Sequence, residues 1–95
     1  MRVKTEHIEF LKRSVKRYLP NAEIYLIGSR ANDELKGGDI DILVLDEREL
    51  SGEEKRKIKI DYYKEAGEQK LDIASIKKDE QSTFKELALL DSIKL

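Results

Sequence analysis

Apolar and polar positions change their period several times along the chain. Ile8, Leu11, Val15 and Tyr18 recur at helical spacing, while Lys12, Arg13, Lys16 and Arg17 face away or flank that stripe. This predicts a first helix over about residues 5–18, capped near Thr5 and closed by Pro20-Asn21. Its basic residues read first as a solvated helix face and second as a nucleic-acid surface. Ala22 to Ile27 is short and rich in β-branched and aromatic residues, as a strand is, and Gly28-Ser29 ends it. Ser29 to Leu35 has the length of a short helix, and Lys36-Gly37-Gly38 follows as a flexible connector. Ile40 to Leu45 predicts a second strand whose later part is apolar throughout, a pattern of central strands buried on both faces.

Glu49 to Ala66 contains a charged helix beginning near Ser51, with Ile58 and Tyr62 as its inward stripe and Leu50 assisting. Gly67 stops it. Lys70 to Ile76 predicts a third strand, and Gln81 to Leu90 a closing helix capped by Ser82 or Asp79, with Phe84, Leu87 and Ala88 inward. Leu89, Leu90, Ile93 and Leu95 either finish the core or form an interface with a partner or a second copy. Alternating helices and strands predict a small α/β sandwich, in the α+β sense that the sheet need not be parallel. The sense of strand pairing stays open at this point.

Composition narrows the field. The 95 residues suffice for one small domain, expected to span 1–95. Hydrophobic residues are 39% and charged residues 41%, which suits a highly charged globular protein. A net charge of −1 gives no field-based reason to expect stable nucleic-acid binding. With no cysteine and only His7, disulfides, thiolate chemistry and histidine clusters are excluded. No apolar stretch reaches membrane-spanning length, and Met1-Arg2-Val3-Lys4 leads into an amphipathic segment rather than a secretory one. A cytoplasmic location is the expectation.

The chemistry concentrates in two short segments. Asp39 and Asp41 are two positions apart, so on an extended strand they share a face. Carboxylates side by side repel each other unless a cation lies between them. The nearby Gly28-Ser29 turn can offer backbone N–H groups and a hydroxyl to phosphate, and Arg30 directly after it is a phosphate or partner contact or a plain surface arginine. A third carboxylate completes most two-metal geometries, and Asp72 within Leu71-Asp72-Ile73-Ala74 is the natural supplier. Taken singly, each piece is ordinary. An Asp-x-Asp pair often opens a strand, Gly-Ser is a common turn, and an aspartate keeps an edge strand soluble. Their ordered combination points to a metal-dependent reaction on a nucleoside triphosphate. Lys77 and Lys78 follow the Asp72 strand, either bordering the cleft or as a solvated run.

Gly28-Ser29-Arg30-Ala31, Gly38-Asp39-Ile40-Asp41-Ile42-Leu43-Val44 and Leu71-Asp72-Ile73 together resemble the minimal nucleotidyltransferases of the DNA polymerase β-like superfamily. The resemblance covers nearly the whole chain. It implies a small nucleotidyltransferase fold, a mixed sheet of three or four strands flanked by helices. It also implies that Gly28 and Ser29 contact the triphosphate and that Asp39 and Asp41 hold Mg²⁺. Asp72 then completes the triad and helps deprotonate an acceptor hydroxyl. The implied reaction moves a nucleoside monophosphate, AMP from ATP, onto that hydroxyl with release of pyrophosphate.

Small members of this group are similar to the antitoxin half of toxin–antitoxin pairs whose toxin is a helical HEPN-type ribonuclease. The resemblance therefore implies transfer onto a hydroxyl of a protein partner. A catalytically silent binding antitoxin and a nucleotide-binding regulatory module are the alternatives from other classes. A homo-oligomer stays open. Tyr25, Tyr62 and Tyr63 are aromatic candidates for stacking on a base or for the core.

Overall fold

The computed structural model describes residues 5–27, 39–67 and 69–95, with Asp39 entering through its backbone. The elements run α1 (Thr5–Lys16), β1 (Glu23–Ile27), β2 (Asp39–Asp46), α2 (Gly52–Ala66), β3 (Lys70–Lys77), α3 (Thr83–Leu90) and β4 (Ile93–Lys94). The four strands form one sheet in the order β3-β2-β1-β4. β1 is antiparallel to β2 and to β4, while β2 and β3 are parallel. The expected mixed sheet flanked by helices is therefore the observed one. The parallel pair needs a crossover, and α2 supplies it.

The side-chain alternation of β2 divides the core in two. Ile40, Ile42 and Val44 join Ile24, Leu26 and Leu71 in the larger cluster, closed by Leu11 and Val15 of α1 and by Ile58 and Tyr62 of α2. Leu43 and Leu45 point the other way and join Ile27 and Ile76, with Ala88 and Leu89 of α3 against them. This arrangement makes β2 the central strand that its unbroken apolar run predicts. Ile93 and Leu95 pack against the larger cluster, and the Leu95 N–H donates to the Ile24 carbonyl at 2.9 Å. The chain end thus finishes the core, except that Leu90 is 76% exposed.

Local signals explain the helix boundaries. The Ser51 hydroxyl accepts from the Glu54 N–H at 3.1 Å, and the Glu54 carboxylate accepts from the Ser51 N–H at 2.8 Å, a reciprocal capping box. Gly67 ends α2 with φ 73°, the left-handed conformation in which a Cβ is strained. At α3 the Ser82 hydroxyl accepts from the Lys85 N–H at 3.1 Å, so Ser82 rather than Asp79 is the cap. Arg48 links the ends of α1 and α2. Its guanidinium donates to the Tyr18 carbonyl at 3.2 Å and forks onto both Glu54 oxygens at 3.0 Å. No described helix is long and apolar enough to cross a membrane.

Candidate functional site

Asp41 and Asp72 come from different strands, yet the parallel register sets them directly opposite each other. One pair closer to the strand starts, Asp39 stands opposite Lys70. Ile27, the last residue of β1, is opposite Asp41 on the other side. The end of β1 and the early parts of β2 and β3 therefore meet at one end of the sheet. The sequence continues from Ile27 into Gly28-Ser29-Arg30, which lie outside the described residues, as do the Ser29 to Leu35 segment and the Gly-Gly connector.

Asp41 and Asp72 both line a cavity of about 570 Å³ between this end of the sheet and α3. Ile27 and Ala74 share its floor, while Phe84, Leu87, Ala88 and Asp91 form the wall. The wall residues repeat at the i, i+3, i+4, i+7 spacing of one helix face. Ala74 and Ala88 keep the space open because their side chains are short. Half-burial of Asp41 and Asp72 leaves their carboxylates reachable from solvent while removing part of their hydration.

Like charges at directly paired positions destabilise a sheet. A hard divalent cation prefers carboxylate oxygens and keeps several waters, so the donor types facing this cavity fit such an ion. Among the described residues, no group of three or more His, Cys, Asp or Glu side chains is close enough to hold a metal. Asp91 lines the same cavity without completing a triad.

The structure corrects one reading of the sequence and decides two that it left open. Phe84 and Leu87 are not core residues, being 53% and 61% exposed on the cavity wall; Ala88 and Leu89 meet the sheet instead. Lys77 and Lys78 lie at the opposite end of β3 from Asp72. There the Lys78 ammonium pairs with Glu23 at 3.2 Å and the Lys78 N–H donates to the Asp46 carbonyl. Tyr62 is fully buried and its hydroxyl donates to Gln69 at 3.2 Å, so it is unavailable to a base. Tyr63 is exposed on α2, across the sheet from the cavity, and Tyr25 donates to the Glu23 carboxylate at 2.8 Å. Burial first, and that hydrogen bond second, raise the Tyr25 pKa. Glu23 is lowered by the Tyr25 hydroxyl and by Lys78.

Of the lining residues, sequence reasoning places only Asp41 and Asp72 at a site, and none of the wall residues Phe84, Leu87, Ala88 and Asp91. The spacing of Phe84, Leu87 and Ala88 is visible as a periodic stripe, but the same spacing describes a stripe that meets the core.

The family description "Nucleotidyltransferase domain" matches residues 6–95. No match was found among curated proteins. Among solved structures, a mutant form of the toxin-antitoxin MntA-HpeT superposes with a TM-score of 0.70 at 22% identity, covering 99% of this chain and 72% of that one. At that identity the likeness concerns the fold, and the fold it shares is the one built above. With the match running through all four strands and the helix that walls the cavity, the chain belongs to the nucleotidyltransferase domain family.

Proposed function

We propose that the chain is an Mg²⁺-dependent nucleotidyltransferase that moves AMP from ATP onto a hydroxyl of a protein partner, acting as the antitoxin of a toxin–antitoxin pair, with 1–95 as its catalytic domain. The observation that carries the reading is the placement of Asp41 and Asp72 at one register position on one cavity. Family membership supports nucleotidyl transfer, and the toxin-antitoxin title of the structural relative supports the kind of partner. In this reading the partner is the HEPN-type helical toxin that the sequence resemblance implies.

Asp39, Asp41 and Asp72 would hold the metal. Bound there, Mg²⁺ supplies positive charge to the phosphoryl oxygens and lowers the pKa of a coordinated hydroxyl. Gly28 and Ser29 bind the triphosphate with backbone N–H groups and a hydroxyl, and Arg30 adds charge beside it. The acceptor oxygen forms a bond to the α-phosphorus while the bond from that phosphorus to the bridging oxygen breaks. Pyrophosphate carries away the electron pair of the broken bond. The acceptor proton passes to a carboxylate oxygen of Asp72, which stands nearest the open edge of the sheet.

The test is intact mass of the protein encoded in the adjacent reading frame after incubation with this chain, Mg²⁺ and ATP. One adenylyl increment per site, absent with the Asp39→Ala/Asp41→Ala double variant, is the expected result. A stable complex of the two proteins without any increment would instead show a silent binding antitoxin.

A further inference from the structure

The cavity is an open groove that reaches edge strand β3, where Asp72, Ile73 and Ala74 line it. On β2 the residue after the site on the same face, Leu43, is fully buried. On β3 the corresponding residue, Ala74, is only half-buried and lines the open space. This face of the sheet is thus closed over β2 and only half-covered along the Asp72–Ala74 row of β3. Among the described residues no strand pairs with the outer side of β3, so the groove lies at the edge of the described sheet. Its wall carries Phe84 and Leu87, each more than half exposed, and Leu90 extends the apolar row one turn further.

We infer that this groove is a docking site for an apolar segment of a protein acceptor, seated on Phe84 and Leu87 with its reacting hydroxyl at Asp72. Two observations select that occupant. The first is charge. Among the described lining residues three are aspartates and none is basic, so a phosphodiester chain meets repulsion there, whereas an apolar segment with a basic flank meets Asp91 favourably. The second is position. Asp72, Ala74 and the exposed Phe84 and Leu87 line one continuous space that reaches edge strand β3, so a protein segment seated on the helix wall meets Asp72 from the open edge of the sheet. Large exposed apolar side chains bordering a polar site mark interaction surfaces. The placement of the hydroxyl rests on the transfer reading proposed above, while the docking surface itself does not.

The experiment is calorimetric binding, without turnover, of the protein encoded in the adjacent reading frame. Phe84→Ser and Leu87→Ser are compared with wild type and with Ile60→Ser, which removes exposed apolar area from α2 on the other face of the sheet. Each groove variant is expected to weaken partner binding roughly tenfold or more, with Ile60→Ser and the affinity for Mg²⁺-ATP within about twofold of wild type. Both exposed positions tolerate the change, and circular dichroism checks the fold. Absence of wild-type binding, unchanged partner affinity in both variants, or weakening confined to Mg²⁺-ATP or to a single-stranded RNA probe overturns the inference. Groove-dependent binding with no transfer rejects the reaction and keeps the surface. Transfer to the partner with both variants at wild-type affinity does the reverse.

Discussion

Asp72 has opposing effects on stability and on chemistry. Facing Asp41 across a parallel pair, it adds a like charge to a register position where each strand has already lost part of its hydration. Asp72→Asn keeps the shape and removes that charge. Without metal, the variant is expected to melt at the wild-type temperature or up to several degrees higher, since cross-strand pairs contribute about 0.2–1 kcal/mol. Transfer is expected to fall by about 10² or more, the usual contribution of a positioned base. Thermal melts in chelator beside single-turnover assays decide the matter. A variant that melts lower and still turns over at the wild-type rate would make Asp72 a structural residue. The sequence displayed this aspartate but could not place it opposite Asp41, because strand register depends on pairing between distant segments rather than on spacing within one.

At the scale of elements, boundaries were the most legible feature and partners the least. Ser51 and Gly67 bracket α2 at the start and stop that the sequence predicts, because a cap and a left-handed glycine both act within one turn of their own position. The unbroken apolar run along β2 likewise announced a strand buried on both faces. Helix α3 shows what periodicity omits. The spacing of Phe84, Leu87 and Ala88 defines a face, and only tertiary placement reveals that this face overlooks a cavity. Helix α2 lies across the sheet from that cavity, so its stability separates from the chemistry. Ser51→Ala should cost about 1 kcal/mol through the lost capping box and leave transfer unchanged when assayed well below the melting temperature. Ile58→Ala, emptying a position only 1% exposed, should cost about 2–5 kcal/mol. Urea unfolding ranks the two, and an equal or reversed order would mean that α2 is held by its ends rather than by its inward face.

The Arg48–Glu54 fork also couples α2 to acid stability. The Arg48 guanidinium, and then the Ser51 N–H, hold the Glu54 carboxyl at a pKa of about 2 against an ordinary 4.5. Because the folded value lies below the unfolded one, the stabilisation is complete above about pH 4.5 and is lost as pH falls toward 2. Glu23, lowered by Tyr25 and Lys78, acts in the same direction. Denaturation midpoints of wild type and Arg48→Met should therefore converge as pH drops from about 5 to 2. Parallel curves through that window would remove the fork from the acid response. Solvent around both side chains keeps the effect small.

For the molecule as a whole, the carboxylates exist as a pair only in the folded state. Asp41 and Asp72 are separated along the chain by the whole of α2, and the sheet alone brings them together. A ligand that uses both has no comparable site on the unfolded chain, so its binding must raise the melting temperature by mass action. At 100 times its dissociation constant the gain is about 2.7 kcal/mol. For a domain of this size each kcal/mol moves the midpoint by about 4–8 °C, so Mg²⁺-ATP should raise it by roughly 10–20 °C. ATP in chelator should give a much smaller rise, because triphosphate contacts remain while the carboxylates repel it. Asp41→Asn should reduce the Mg²⁺-dependent part of the shift. Scanning calorimetry over a titration of ATP, with and without Mg²⁺, measures each contribution. An equal rise with and without metal would place nucleotide binding away from the Asp41–Asp72 pair, and no rise at all would leave the folded sheet without the ligand proposed for it.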